Sequence, residues 1–161
     1  MSNTAKYKTV ILTGPIHSGS STVLKEWIKG KDACGFINPT DSGKKLLQDV
    51  RTGETIIYER LDTDPGTIKV GPYSLCRDAF LKAKQIFKEA INHPAEWLII
   101  DEIGKLELLE EGHHSILVDA LKLWKHNLLI VVRDSLLQEV ITKYGIKSPV
   151  IITKQQLSEM K

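Results

Sequence analysis

The chain has 161 residues, the size of one domain with one hydrophobic core, and we expect residues 1–161 to form that single domain. Its 22 basic residues nearly balance its 20 acidic ones, so a net charge of +2 gives no electrostatic reason to expect nucleic acid or a membrane as the main partner. Cys34 and Cys76 are too few for a disulfide scaffold and lack C-x-x-C spacing, and no apolar run is long enough for a signal peptide or a membrane span. A cytoplasmic location is therefore predicted.

The first half of the chain predicts a strand, a glycine-bearing loop and a helix, followed by short strands. The segment YKTVILTG is a continuous apolar run typical of a buried strand, and STVLKEWIKG has apolar residues at helical spacing. CGFINP is predicted to be a short strand that ends at Pro39. Turn-forming residues then separate several short strands, so we predict an antiparallel meander over about residues 34–75.

In the second half, helices alternate with buried strands. RDAFLKAKQIFKEAI carries one apolar stripe and is predicted to be an amphipathic helix; the predicted strands that follow are EWLIIDEIG, NLLIVVRD and PVIIT, with helices between them. This order predicts a three-layer α/β domain with a mainly parallel sheet and helices on both faces. Ligands of such sheets bind at the carboxyl ends of the strands.

The segment TGPIHSGSST, residues 13–22, has nearly all of a phosphate-binding loop, the Walker A pattern G-x-x-x-x-G-K-[ST]. Ser20 stands where the pattern has lysine, and Ser21 supplies the hydroxyl expected to bind Mg²⁺, with Thr22 as the alternative if the loop is shifted by one residue. Glycine lets successive N–H groups line an anion site, and the start of the helix adds a positive dipole. The predicted nucleotide-binding residues are Gly14, Pro15, Ile16, His17, Ser18, Gly19, Ser20, Ser21 and Thr22.

A second motif, LIIDEIG, places two carboxylates at the predicted carboxyl end of a buried strand. In nucleoside triphosphatases an aspartate at this position, the Walker B motif, holds the Mg²⁺ shell, and a neighbouring glutamate orients and deprotonates the attacking water. Asp101 is therefore predicted as a metal ligand and Glu102 as the catalytic base.

The absent lysine raises the question of which cation stabilises the phosphates. Arg133 follows the end of a predicted buried strand, and its guanidinium can bind phosphate through two hydrogen bonds, so we predict it as the catalytic cation. The alternatives left open by the sequence are His17, Lys25, Lys44, Lys45 and Lys105.

The two motifs together give the chain a resemblance to the small P-loop nucleoside-triphosphatases, the family that includes the cancer-related nucleoside-triphosphatase. The resemblance covers most of the chain, and DEIGKLEL is its most specific segment. It implies a RecA-like fold and slow, Mg²⁺-dependent hydrolysis of a nucleoside triphosphate, ATP or GTP. Gly14, Gly19, Ser21, Asp101 and Glu102 match the family's motifs, whereas Ser20 replaces its lysine.

Two other functions remain open at this stage. A nucleotide sensor would keep the loop and the acidic pair and signal by binding alone. A small nucleoside or nucleotide kinase would use the meander as an acceptor site or lid, and fold similarity does not choose among these functions.

Adjacent histidines near two acidic residues suggest a metal site at first sight. His113 and His114 follow Glu110 and Glu111, but neighbouring side chains at a helix start point in different directions. We therefore expect a solvated helix cap here.

Overall fold

The computed structural model describes residues 7–15, 20–41, 44–60, 67–70 and 73–160. Each secondary-structure element in these ranges is numbered in chain order. The elements are β1 Thr9–Gly14, α1 Ser20–Ile28, β2 Ala33–Ile37, β3 Thr40–Asp41, β4 Lys44–Asp49, β5 Thr55–Ile57, β6 Glu59–Arg60, β7 Thr67–Val70, β8 Tyr73–Cys76, α2 Arg77–Asn92, β9 Trp97–Ile103, α3 Lys105–Leu108, α4 His114–Leu123, β10 Asn127–Arg133, a 3₁₀ turn Asp134–Leu136, α5 Leu137–Tyr144, β11 Val150–Ile152 and α6 Lys154–Glu159.

The central sheet has a parallel part in which strands adjacent in space are not adjacent in sequence. Its order is β11-β1-β10-β9-β2, and every neighbouring pair in this series is parallel. Parallel neighbours need crossover connections, and helices between the strands supply them. The carboxyl ends of β1, β10, β9 and β2 consequently lie along one edge of the sheet.

Both faces of this sheet are covered, which explains why its strands are apolar without interruption. Successive side chains of a strand point to opposite faces, so Val10 and Leu12 pack on one face and Ile11 on the other. Helices α1 and α6 cover the first face, with Leu24 and Leu157 fully buried there. Helices α2, α4 and α5 cover the second. The predicted three-layer α/β architecture is confirmed.

The antiparallel segment is present, and its strands belong to two sheets. Strand β2 pairs in parallel with β9 on one side and antiparallel with β4 on the other, so it belongs to the parallel core. Strands β3 and β5 both pair antiparallel with β4 and extend the same sheet, whereas β6, β8 and β7 form a separate antiparallel sheet. The sequence did not distinguish these arrangements because a short apolar strand can pair in either direction.

The expected solvated cap at His113 is wrong. His113 is fully buried and its ring packs against Phe36, Phe80 and Tyr58, with centroid distances of 4.7, 4.9 and 6.1 Å. Its neighbour His114 points elsewhere, and its Nδ1 lies 2.6 Å from the Tyr144 hydroxyl oxygen. The divergence of the two side chains is as predicted, but the aromatic cluster that encloses His113 is made by tertiary contacts.

No helix in the described part of the chain is long and apolar enough to cross a membrane.

Candidate functional site

The predicted catalytic motifs meet at the carboxyl ends of three adjacent strands. In the register of β1 and β10, Gly14 lies directly opposite Arg133, and β10 pairs on its other side with β9, which ends in the acidic pair. Neighbouring strands lie about 4.8 Å apart. The start of the predicted phosphate loop, Arg133 and the two carboxylates therefore share one edge of the sheet.

Much of the predicted phosphate loop lies outside the described residues, which include neither Ile16, His17, Ser18 nor Gly19. Gly14 is the last residue of β1, and helix α1 begins at Ser20 as predicted. The side chains of Ser20 and Ser21 are also outside the described part, whereas Pro15 and Thr22 are exposed. A strand thus precedes the predicted loop and a helix follows it, and the roles of the individual loop residues remain predictions.

Asp101 is held in place from the neighbouring strand. It is fully buried, and its Oδ2 accepts a hydrogen bond of 2.8 Å from the backbone N–H of Asn38. Asn38 is itself buried and donates from Nδ2 to the carbonyl of Leu46 on β4, at 3.1 Å. Sequence reasoning missed Asn38. Its position could have indicated this role, because Asn38 lies between the strand CGFI and Pro39, at the same edge of the sheet as the acidic pair.

Glu102 lies where the pairing of β9 and β10 is irregular. The register shifts between Ile130 and Val132, which pair with Ile100 and Ile103, so two residues of β9 face one residue of β10. Glu102 has a φ of 62°, a left-handed conformation that is uncommon for residues other than glycine. Such bulges re-aim side chains next to active sites. The bulge lets the buried Asp101 be followed at once by a Glu102 side chain that is partly exposed.

Among the candidate cations, Lys45 reaches the acidic pair. Its Nζ lies 2.6 Å from Oε1 of Glu102, with the two side chains 27% and 38% exposed. Lys25 on α1 and Lys105 at the start of α3 are exposed, and Arg133 is half-buried at the end of β10. The side chain of Lys44 lies outside the described part.

The segment after the acidic pair is organised by a buried carboxylate. Glu107 Oε1 accepts a hydrogen bond from the backbone N–H of Gly104, and Oε2 accepts one from His113, each at 2.8 Å. Burial is the main cause that raises the pKa of Glu107, to about 7; the two N–H donors oppose this rise, and the nearby charge of Glu102 adds to it. Glu107 thus connects the turn that follows Glu102 to the start of α4.

The oxygen donors at this edge suit Mg²⁺, which prefers carboxylates and needs one or two of them when phosphate and water complete its shell. Asp101, the predicted metal ligand, supplies such an oxygen. Among the described residues, no group of three or more His, Cys, Asp and Glu side chains is arranged to hold a metal ion. A single protein carboxylate fits an ion that arrives together with a nucleotide.

A cavity of about 640 Å³ lies away from this edge. Thr9, at the beginning of β1, lines it together with residues of α4 and of the α5 end, including His114 and Tyr144. Neither Asp101 nor Glu102 takes part in it. We place the candidate site at the carboxyl ends of the strands, because the predicted phosphate loop and the acidic pair meet there.

A parallel α/β sheet with a predicted glycine loop after one strand and an acidic pair at the end of another, with one strand between them, is an arrangement of P-loop nucleoside-triphosphate-binding proteins. A family model described as NTPase matches residues 9–157, and the chain belongs to this NTPase family. Membership confirms the predicted small P-loop NTPase and supports nucleotide binding and hydrolysis. No curated protein matches the sequence significantly.

Two solved structures share the fold over nearly the whole chain. THEP1 from the hyperthermophile Aquifex aeolicus superposes with a TM-score of 0.71 at 22% identity, over 90% of this chain and 88% of that one. A human cancer-related nucleoside triphosphatase superposes with a TM-score of 0.70 at 20% identity, over 94% of each chain. At these identities the likeness concerns the fold, which agrees with the architecture predicted from the motifs.

Proposed function

We propose that this protein is a Mg²⁺-dependent nucleoside triphosphatase that converts a nucleoside triphosphate, ATP or GTP, and water into the diphosphate and phosphate. The observation that carries the proposal is the acidic pair at the end of β9, which is the second strand from β1 and its last residue, Gly14. Within this pair, Asp101 is anchored by a hydrogen bond from the Asn38 N–H. The NTPase family match supports the reaction class. Such a substrate is intracellular, in keeping with the cytoplasmic location predicted from the sparse cysteines.

In the proposed reaction, water attacks the γ-phosphorus in line with the bridging oxygen. A new P–O bond forms to the water oxygen as the bond from phosphorus to the departing diphosphate breaks, and Glu102 accepts the proton that the water loses. The loop amides and Arg133 bind phosphate oxygens. Asp101 and Ser21 hold Mg²⁺, which when bound neutralises phosphate charge.

Turnover in this protein is proposed to be slow, because Ser20 replaces the lysine of the phosphate loop. The backbone amides remain available for binding, so the larger effect falls on catalysis. Removing one preorganised donor to a developing charge typically lowers the rate by about 10²–10³. Ser20→Lys is accordingly expected to raise kcat by up to about 10²–10³ in a phosphate-release assay.

The proposal is tested with variants of the acidic pair. We expect Glu102→Gln to lower kcat by about 10²–10⁴, the range of general acid–base catalysis, while leaving the affinity for nucleoside triphosphate within a few fold. Asp101→Asn is expected to raise the Mg²⁺ concentration needed for half-maximal rate. Phosphate release and equilibrium nucleotide binding, measured across a Mg²⁺ titration, report both effects.

Glu110→Gln is the matched control, because Glu110 also pairs with a lysine, Lys143, at 3.0 Å but lies on the exposed surface. It should leave turnover unchanged. Nucleotide binding without any Glu102-dependent phosphate release would overturn the hydrolase proposal in favour of a sensor. Transfer of phosphate to a small acceptor, with hydrolysis only as a side reaction, would favour the kinase alternative.

A further inference from the structure

Backbone hydrogen bonds position Lys45 at the edge of the proposed site. Its carbonyl accepts a hydrogen bond of 2.9 Å from the Tyr58 N–H, and the N–H of the next residue, Leu46, donates to the carbonyl of Pro39 at 2.8 Å. The Leu46 carbonyl in turn accepts from Asn38, the residue that anchors Asp101. The backbone that carries Lys45 is therefore connected directly to the acidic pair.

The ammonium of Lys45 lies on the side of the site where the γ-phosphate is expected. Its Nζ is 2.6 Å from Glu102 Oε1. In the proposed reaction Glu102 contacts the water that attacks the γ-phosphorus, so a cation bound to Glu102 is next to the γ-phosphate and farther from the other phosphates. An ammonium has three N–H donors, so Lys45 can keep its bond to Glu102 and also donate to a phosphate oxygen.

The ion pair of Lys45 and Glu102 can be reached from solvent. The two side chains are 27% and 38% exposed, so a ligand at this edge can contact the ammonium. Position 20 meanwhile offers no cation, because it is serine. We propose that Lys45, extended from the antiparallel strand β4, binds the γ-phosphate and supplies the positive charge that the phosphate loop lacks; the inference rests on the proposed function.

The nucleotide preference of Lys45→Met tests this assignment. If Lys45 contacts the γ-phosphate, its loss should weaken binding of the Mg²⁺–nucleoside triphosphate by about 10- to 100-fold, the loss expected for one charged hydrogen bond. Binding of the diphosphate should change by less than about 3-fold, since the diphosphate lacks the group that Lys45 binds. Lys45→Arg should restore the preference for triphosphate. Equilibrium binding of ATP, GTP and their diphosphates, measured calorimetrically, gives these ratios.

Turnover of a double variant distinguishes phosphate binding by Lys45 from a purely structural role of Lys45. If the two positions serve the same phosphate, Ser20→Lys should recover turnover in the Lys45→Met background, and the loss caused by Lys45→Met should be smaller in the Ser20→Lys variant than in the wild-type protein. Thermal unfolding of each variant shows whether the fold is kept. Lys143→Met is the matched control, because the Lys143 side chain is 29% exposed and also pairs with a glutamate.

The outcomes separate this inference from the proposed function. Equal losses of triphosphate and diphosphate affinity in Lys45→Met, or losses no greater than in Lys143→Met, would overturn the role of Lys45 while leaving the hydrolase standing. A wild-type protein that binds no Mg²⁺–nucleoside triphosphate would overturn both. A selective loss of triphosphate affinity together with recovery by Ser20→Lys is the expected result.

Discussion

At the scale of single residues, Glu107 shows how one buried side chain can organise the segment beside a catalytic motif. It belongs to DEIGKLEL, the segment on which the resemblance to the P-loop nucleoside-triphosphatases depends most. Each of its carboxylate oxygens accepts a hydrogen bond from a backbone N–H. The hydrogen bonds join Gly104 to the start of α4 at His113. Glu107 therefore positions backbone next to Glu102 without itself being placed among the substrate-binding residues.

Replacing Glu107 with glutamine should destabilise the protein by about 1–3 kcal/mol, because the new amide NH₂ would face a backbone N–H and leave a buried donor unsatisfied. The change is measured as the free energy of unfolding in urea. Glu111→Gln, at an exposed position nearby, is the control and should have little effect. Equal stability of the two variants would contradict the role assigned to the Glu107 hydrogen bonds.

At the scale of elements, the pairing of β2 with β9 requires a glycine. Gly35 lies opposite Ile99 with a φ of +105°, and a Cβ there would lie 2.8 Å from the Ile99 nitrogen and closer still to its carbonyl oxygen. The two strands carry Asn38 and Asp101 at their ends. A close approach at Gly35 therefore maintains the spacing on which the Asn38–Asp101 hydrogen bond depends.

Gly35→Ala is expected to cost about 3 kcal/mol or more, because it combines backbone strain with overlap against a main chain that cannot move aside. Gly145→Ala is the control: Gly145 has a φ of +58° but no atom near its prospective Cβ, so it should cost about 1–2 kcal/mol from backbone strain alone. Denaturant unfolding of both variants measures the difference. Equal losses in the free energy of unfolding would show that the backbones of β2 and β9 can move apart at Gly35 with little effect on stability.

At the scale of the whole molecule, the buried His113 makes stability depend on pH. Burial lowers the pKa of His113 to about 3, from an ordinary value of 6.5. Between these values the unfolded chain binds a proton that the folded chain does not, so stability falls as the pH decreases from about 6.5 toward 3. The slope from this one group is at most about 1.4 kcal/mol per pH unit.

His113→Phe should reduce this pH dependence, because a phenyl ring fits among Phe36, Tyr58 and Phe80 and does not titrate. The raised pKa of Glu107 has the opposite effect on stability. The folded protein keeps a proton on Glu107 that the unfolded chain loses, so stability falls as the pH rises from 4.5 through about 7; this contribution is common to both proteins. Urea unfolding at pH 6.5 and pH 5 measures the slopes. His93→Phe, at an exposed position, is the control, and an unchanged slope in His113→Phe would contradict the assignment.

Much of the fold could be predicted because local pattern determines its parts. Strands β1, β9 and β10 contain continuous apolar runs, residues 10–12, 97–100 and 128–132, as is typical of strands covered on both faces, and the stripe in α2 has helical spacing. The antiparallel segment was harder to delimit, because strand pairing depends on partners distant in the chain. The burial of His113 was missed for the same reason.

The order of elements, the glycine loop and the acidic pair could be predicted from the chain, since each depends on residues that are neighbours in sequence. Tertiary contacts alone bring Lys45 to Glu102 across 57 positions of the chain and Asn38 to Asp101 across 63. The tertiary structure also placed Glu102 in a left-handed bulge. Contacts of this kind depend on strand order and register, which bring together residues that are distant in the chain and so produce no pattern among neighbouring residues.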